Sequence, residues 1–174
     1  MSDATDRERS LDRQTFDAWP PSLRALFDGT SLARKVGFTA SLAFVDANGD
    51  IRTSLLGPGE LYADEARTLY VVLWPQSRAA RRFAEDGDAG GRAALSFVLD
   101  GAFYQLQLRM MPLPAVSGST LACFAGTLEH GELQRVGYAH LTSGITFELG
   151  ADLDAVLARW QTQIDWLKRA AGRT

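Results

Sequence analysis

The chain has 174 residues, of which 46% are hydrophobic and 22% charged, with a formal net charge of -3. This composition suits one domain with its own core and gives no overall pull toward nucleic acid or an anionic membrane. The single cysteine, Cys123, excludes an internal disulfide and a cysteine-built zinc cage. The polar start of the chain and the lack of any apolar run of ~18 residues point to a cytoplasmic protein with no membrane span.

Residues 1–9 read as a disordered tail, and residues 10–174 as one domain with helices toward both ends. A helical stretch is expected from residue 10, interrupted at Trp19-Pro20-Pro21-Ser22. Pro21 and Ser22 open a short helix with Leu23, Leu26 and Phe27 on its apolar side, closed by Asp28-Gly29. Leu32 to Val36 adds a turn that ends at Gly37.

Strands follow. Thr39 to Asp46 and Ile51 to Leu56 flank Asn48-Gly49, a dipeptide that accepts the positive φ angles of a tight hairpin. Glu60 to Ala63 and Thr68 to Trp74 are further strands, and Ser77 caps a helix that runs to about Glu85. A second hairpin joins Arg92–Leu99 to Ala102–Met111 through Asp100-Gly101. In its second strand Tyr104, Leu106, Leu108 and Met110 face one way, and Phe103, Gln105, Gln107 and Arg109 the other. Thr120–Leu128 and Gly144–Leu149 complete a set of six or seven strands, and Ala151–Ala170 carries the clearest helical stripe: Leu153, Val156, Leu157, Trp160, Ile164 and Leu167. Hairpins with peripheral helices predict a mainly β, α+β fold of the antiparallel-barrel kind rather than the alternation of a Rossmann sheet.

Metal and triad chemistry have no foothold in the pattern. His130 and His140 stand ten apart without a second ligand at metal spacing, and Cys123 lies in an apolar stretch. The chemistry-bearing segment is Leu73-Trp74-Pro75-Gln76-Ser77-Arg78, where a strand gives way to a helix that opens with a hydroxyl and a guanidinium. Backbone N–H groups at such a helix start carry partial positive charge, and an arginine fork suits phosphate. Arg52, followed by the small residues Thr53 and Ser54, offers a second cation on a strand that a flat ligand can approach. Gln105 and Gln107 offer amides able to read a ring edge.

Taken in order, Arg52-Thr53-Ser54-Leu55-Leu56, then Leu73-Trp74-Pro75 with Ser77-Arg78, then Tyr104-Gln105-Leu106, the chain resembles the FMN-binding split-barrel superfamily that includes pyridoxamine 5′-phosphate oxidase. The resemblance covers about Thr39 to Met111. It implies a split antiparallel β-barrel of the FMN-binding type and a homodimer with flavin sites at its interface. Arg52, Ser77 and Arg78 would hold the FMN phosphate. The backbones of Thr53, Ser54, Leu73 and Trp74 would line the ring and ribityl chain, and Gln105 would approach the isoalloxazine. The family lysine that follows Ser-Arg is Ala79 here, with Arg81 and Arg82 available on the same helix. The function implied is that of a flavin-dependent oxidoreductase acting on a small-molecule substrate. The alternative is a non-catalytic split-barrel module holding haem, a deazaflavin or no cofactor, with His130 and His140 as the first haem ligands to test.

Overall fold

The computed structural model describes residues 11–64, 67–150 and 152–173; the tail expected over residues 1–9 lies outside them. The chain runs β1 (Leu11–Phe16), α1 (Pro21–Leu26), a 3-10 turn (Leu32–Lys35), β2 (Ala40–Val45), β3 (Ile51–Leu56), a second 3-10 turn (Pro58–Glu60) and β4 (Leu61–Tyr62). It continues through β5 (Thr68–Leu73), α2 (Arg78–Asp86), β6 (Gly91–Leu99), β7 (Ala102–Pro112), β8 (Ala122–Val136) and α3 (Leu153–Ala170). All pairings between these strands are antiparallel, in the order β3-β2-β6-β7-β8-β5-β4, with β1 added along β8. The sheet curls into a half-barrel with flanking helices, the split-barrel architecture.

Both hairpins turn where their dipeptides allow. Gly49 sits at φ 84°, and Asp100 and Gly101 at 49° and 73°, the left-handed region that Gly, Asn and Asp enter most cheaply. The alternation in β7 is realised: Tyr104, Leu106, Leu108 and Met110 are buried inside the curl. There they meet Leu42, Leu95, Leu69 and Phe124 in one cluster, with the Phe97 and Tyr104 rings stacked at 5.2 Å between centroids. A second cluster lies outside the curl, where Val156, Trp160, Ile164 and Leu167 of α3 cover Tyr62, Tyr70, Val72 and Cys123. The helical stripe read from the sequence is therefore this contact, although Leu153 at its start stays exposed.

Three expectations are corrected. The stretch after residue 10 is a strand, β1, whose partners run from Leu11↔Val136 to Phe16↔Gly131. All its residues but Phe16 are exposed, so it has no apolar period to display. Pairing along β8 decides its conformation, and the Phe16 ring lies against Gly131. The strand expected over Thr120–Leu128 extends to Val136 as β8. A bulge opposite Gln107 and Leu108 pairs those residues with His130 and Leu128, skips Glu129 and hides the alternation. Gly144–Leu149 is not a strand; it packs as irregular chain, with Phe147 edge-on to Trp160 at 6.3 Å. The strands thus number eight among the described residues.

Candidate functional site

α2 is held at the mouth of the curl by three buried residues, Ala79, Ala80 and Phe83, of which Phe83 is the largest. Phe83 is fully buried and meets Phe44 of β2 and Phe124 of β8, each at 5.7 Å between ring centroids. Phe44 pairs directly with Arg52 across the β2–β3 hairpin. The same packing therefore brings the start of α2 beside the hairpin turn. Between them lies a cleft of about 220 Å³, lined by Asp46, Asn48, Arg78, Arg81, Arg82 and Glu85 among others.

Ser77 is the N-cap of α2. Its Oγ accepts the Ala80 N–H at 3.1 Å, and its own proton remains available to a ligand. The N–H groups of Arg78 and Ala79, in the first turn, have no helical acceptor. Arg78 and Arg81 are exposed and make no ion pair among the described residues. Arg82 is committed: it reaches Asp86 at 2.7 Å and Glu85 at 4.0 Å. Of Arg81 and Arg82, the one without an ion-pair partner among the described residues is Arg81. Ala79 is fully buried against the core, so that position faces the protein interior.

Arg52 is also committed, to its own hairpin. Its Nε donates to Asp46 at 2.8 Å and its Nη2 to Asp50 at 2.9 Å. The donated hydrogen bond from Arg52 holds the Asp46 carboxyl below its ordinary range, helped by the N–H groups of Asp50 and Asn48. Asp46 in turn holds the Arg52 guanidinium above its ordinary range. Asp46 thus links Arg52 to the cleft that Arg78 and Arg81 line.

The remaining residues singled out in the sequence lie in different surroundings. Ser54 shares the inner face of β3 with Arg52, while Thr53 and Leu55 face outward. Leu73 is buried at the end of β5, and Trp74 is 63% exposed just beyond it. Gln105 is exposed on the outer face of β7, level with Ser96, Ser41 and Leu55 and separated from β3 by β6 and β2. One chain therefore does not bring Gln105 to the α2 cleft. Cys123 is buried, and burial pushes its thiol up. His130 and His140 are exposed, and no cluster of three potential metal ligands occurs among the described residues. No helix among them is long and apolar enough to cross a membrane.

A second concavity escaped the sequence reading. A cavity of about 520 Å³ opens between the ends of β3 and β5, the 145–149 segment and α3. Trp74 stands at its edge, three residues before the α2 cap. Its other walls come from distant parts of the chain, and no local motif announces them.

No family model matches the chain. It is 25% identical over 146 residues to the uncharacterized protein YclD of Bacillus subtilis (strain 168), a match spanning 83% of this chain and 92% of that one. It is similar in structure to HupZ of Group A Streptococcus, at 12% identity and TM-score 0.48, over 75% of this chain and 99% of that one. A Lactobacillus delbrueckii protein named for pyridoxamine 5′-phosphate oxidase is similar at 12% identity and TM-score 0.48, over 67% and 94% of the two chains. The likeness is one of fold alone, and the chain has the split-barrel architecture.

Proposed function

We propose that the chain binds FMN and serves as a flavin-dependent oxidoreductase in the cytoplasm, acting on a small-molecule substrate. The observation that carries this reading is the α2 cleft, where two unpaired guanidinium groups, Arg78 and Arg81, adjoin a capped helix start with free N–H donors. Such a cup favours a phosphate dianion, with each charge-assisted hydrogen bond worth about 1.5–3 kcal/mol. Arg52 joins when the incoming phosphate competes with Asp46 and Asp50 for its fork. Bound there, the flavin supplies the electron transfer, and the chain supplies binding and orientation. The backbones of Thr53, Ser54, Leu73 and Trp74 would carry the ribityl chain and ring away from the cleft.

The reading includes a homodimer. β3 is an end strand of the sheet, and it presents Ile51 and Leu55, 77% and 55% exposed, beside the exposed Val45 of β2. An apolar end strand of this kind is normally covered. Covering it with a second copy would also let Gln105 of one chain serve the cleft of the other, which a single chain does not achieve.

The test is direct. The protein as purified is scanned for flavin absorption and titrated with FMN, following quenching of flavin fluorescence. Uptake of one FMN per chain, with bleaching by a reduced nicotinamide, supports the enzyme. A colourless protein that takes up no added FMN contradicts the reading, and a Soret band from bound haem moves it to the non-catalytic alternative.

A further inference from the structure

The chain between β8 and α3 is held unlike the rest of the molecule. Ala139 makes a last bridge to Val136. From 140 to 149, no residue makes a backbone or side-chain hydrogen bond among the described residues. None from 137 to 149 is fully buried, and only Gly144, Phe147 and Leu149 are half-buried. The backbone groups of this stretch are therefore left to water. Connections this long without secondary structure are uncommon in a compact domain, and the ordered ones are usually lids or binding loops.

The seat of the stretch is loose. Crevices of about 310 Å³ and 170 Å³ remain beneath it, the first between Leu11, Val98, Phe103 and Leu141, the second beside Phe38 and Thr39. A Cβ on Gly144 would stand 3.4 Å from the Val98 Cβ, an ordinary contact, and Phe147 rests edge-on against Trp160 at 6.3 Å. Ile145, Thr146, Phe147 and Leu149 nevertheless form one side of the 520 Å³ cavity. Its other side is fixed: Leu56 is buried at the end of β3, and Trp160 lies on Gly59 with no room for a Cβ between them. One wall thus belongs to strands and a docked helix, and the other is held by side-chain contacts alone. Segments with few buried contacts and a wet backbone open at low free-energy cost.

We propose that residues 140–149 form a lid over this cavity. The lid opens by lifting Phe147 off Trp160 and Gly144 off Val98, and it closes by restoring both contacts. Leu55, which follows Ser54, and Trp74 line the cavity, so it adjoins the backbones given to the flavin. What the lid covers therefore rests on the FMN reading: closed, it keeps water from the bound ring. The opening motion itself requires no flavin.

A reversible staple tests this. Val98→Cys with Gly144→Cys brings two Cβ atoms to the short end of the about 3.5–4.5 Å that a disulfide spans. Oxidation then locks the lid shut, and reduction frees it; Cys123 is buried. In stopped-flow mixing, the reduced variant should take up and release FMN at wild-type rates. The oxidised variant should do both about tenfold more slowly or worse, an added barrier of about 1.4 kcal/mol. Phe147→Ala should release FMN about two- to tenfold faster, the range of a lost edge-to-face ring pair. A second arm uses no ligand. Chymotrypsin can cut after Phe147 only when that ring leaves Trp160, so the oxidised variant should lose a cut that the reduced one suffers. Should the double variant misfold or fail to oxidise, Phe147→Ala decides. FMN rates indifferent to the staple, release from Phe147→Ala at the wild-type rate, or cleavage at Phe147 in both redox states would each overturn the lid. A chain that takes up no FMN, yet is protected from chymotrypsin by the staple, keeps the lid and refutes the FMN reading.

Discussion

The α2 cleft is small, about 220 Å³, and cationic, whereas the α3 cavity is about 520 Å³ and walled mainly by aromatic and aliphatic side chains. The cleft is assembled from two neighbouring turns of chain, a hairpin and a helix start. The cavity draws on Thr39, Glu60, Trp74, Phe147 and Gln163, which only the folded chain brings together. Local chemistry thus defines the proposed anion site, and tertiary packing defines the cavity. The two should respond to different perturbations.

The largest expected effect removes what positions the cleft. Phe83→Ala leaves a void between Phe44 and Phe124 and should cost about 3–5 kcal/mol of stability, read as a lower urea midpoint with an unchanged slope. FMN affinity should fall with it. An unchanged midpoint would show that α2 is held by something else.

Gly59→Ala acts on the cavity side. A Cβ there meets the Trp160 ring, so α3 must shift at a cost of about 1–3 kcal/mol. The urea midpoint should fall accordingly, while the ratio of FMN to riboflavin affinity, which reads the phosphate at the α2 cleft, stays within about twofold of wild type, under 0.5 kcal/mol. A collapsed ratio would mean that the packing of α3 reaches the α2 cleft.

The smallest effect concerns Arg52. Asp50 is exposed, and its carboxylate meets the Arg52 Nη2. Asp50→Asn keeps the turn and loosens that grip, so FMN should bind up to about fivefold tighter at low ionic strength, the range of an exposed ion pair. The gain should fade as salt screens the cleft. Weaker FMN binding in this variant would show that the hairpin carboxylates help to hold the ligand.

The sequence made the hairpins legible because Asn48-Gly49 and Asp100-Gly101 encode turns within two residues, and it made the α2 cap legible because Ser77 acts on its own helix. Segments whose conformation depends on a distant partner were not legible. β1 is polar along its length and becomes a strand only by pairing along β8. The second half of β8 was obscured by its bulge and by Gly131, which gives up a side chain to the Phe16 ring. Within the site, Arg52 and Arg78 could be named from spacing, but the two carboxylates that occupy Arg52 could not. The burial of Ala79, which leaves Arg81 as the free cation, needed the helix phase. The α3 cavity left no local motif, because its walls come from separate segments that meet only in the folded chain.

The central claim is a phosphate cup at the start of α2, and the affinities of Arg78→Ala for FMN and riboflavin test it most directly. The two ligands differ only in the phosphate. FMN binding should weaken by about 10- to 100-fold, the equivalent of one charge-assisted hydrogen bond, while riboflavin binding stays as in the wild type. Equal losses for both ligands, or none for either, would contradict the account.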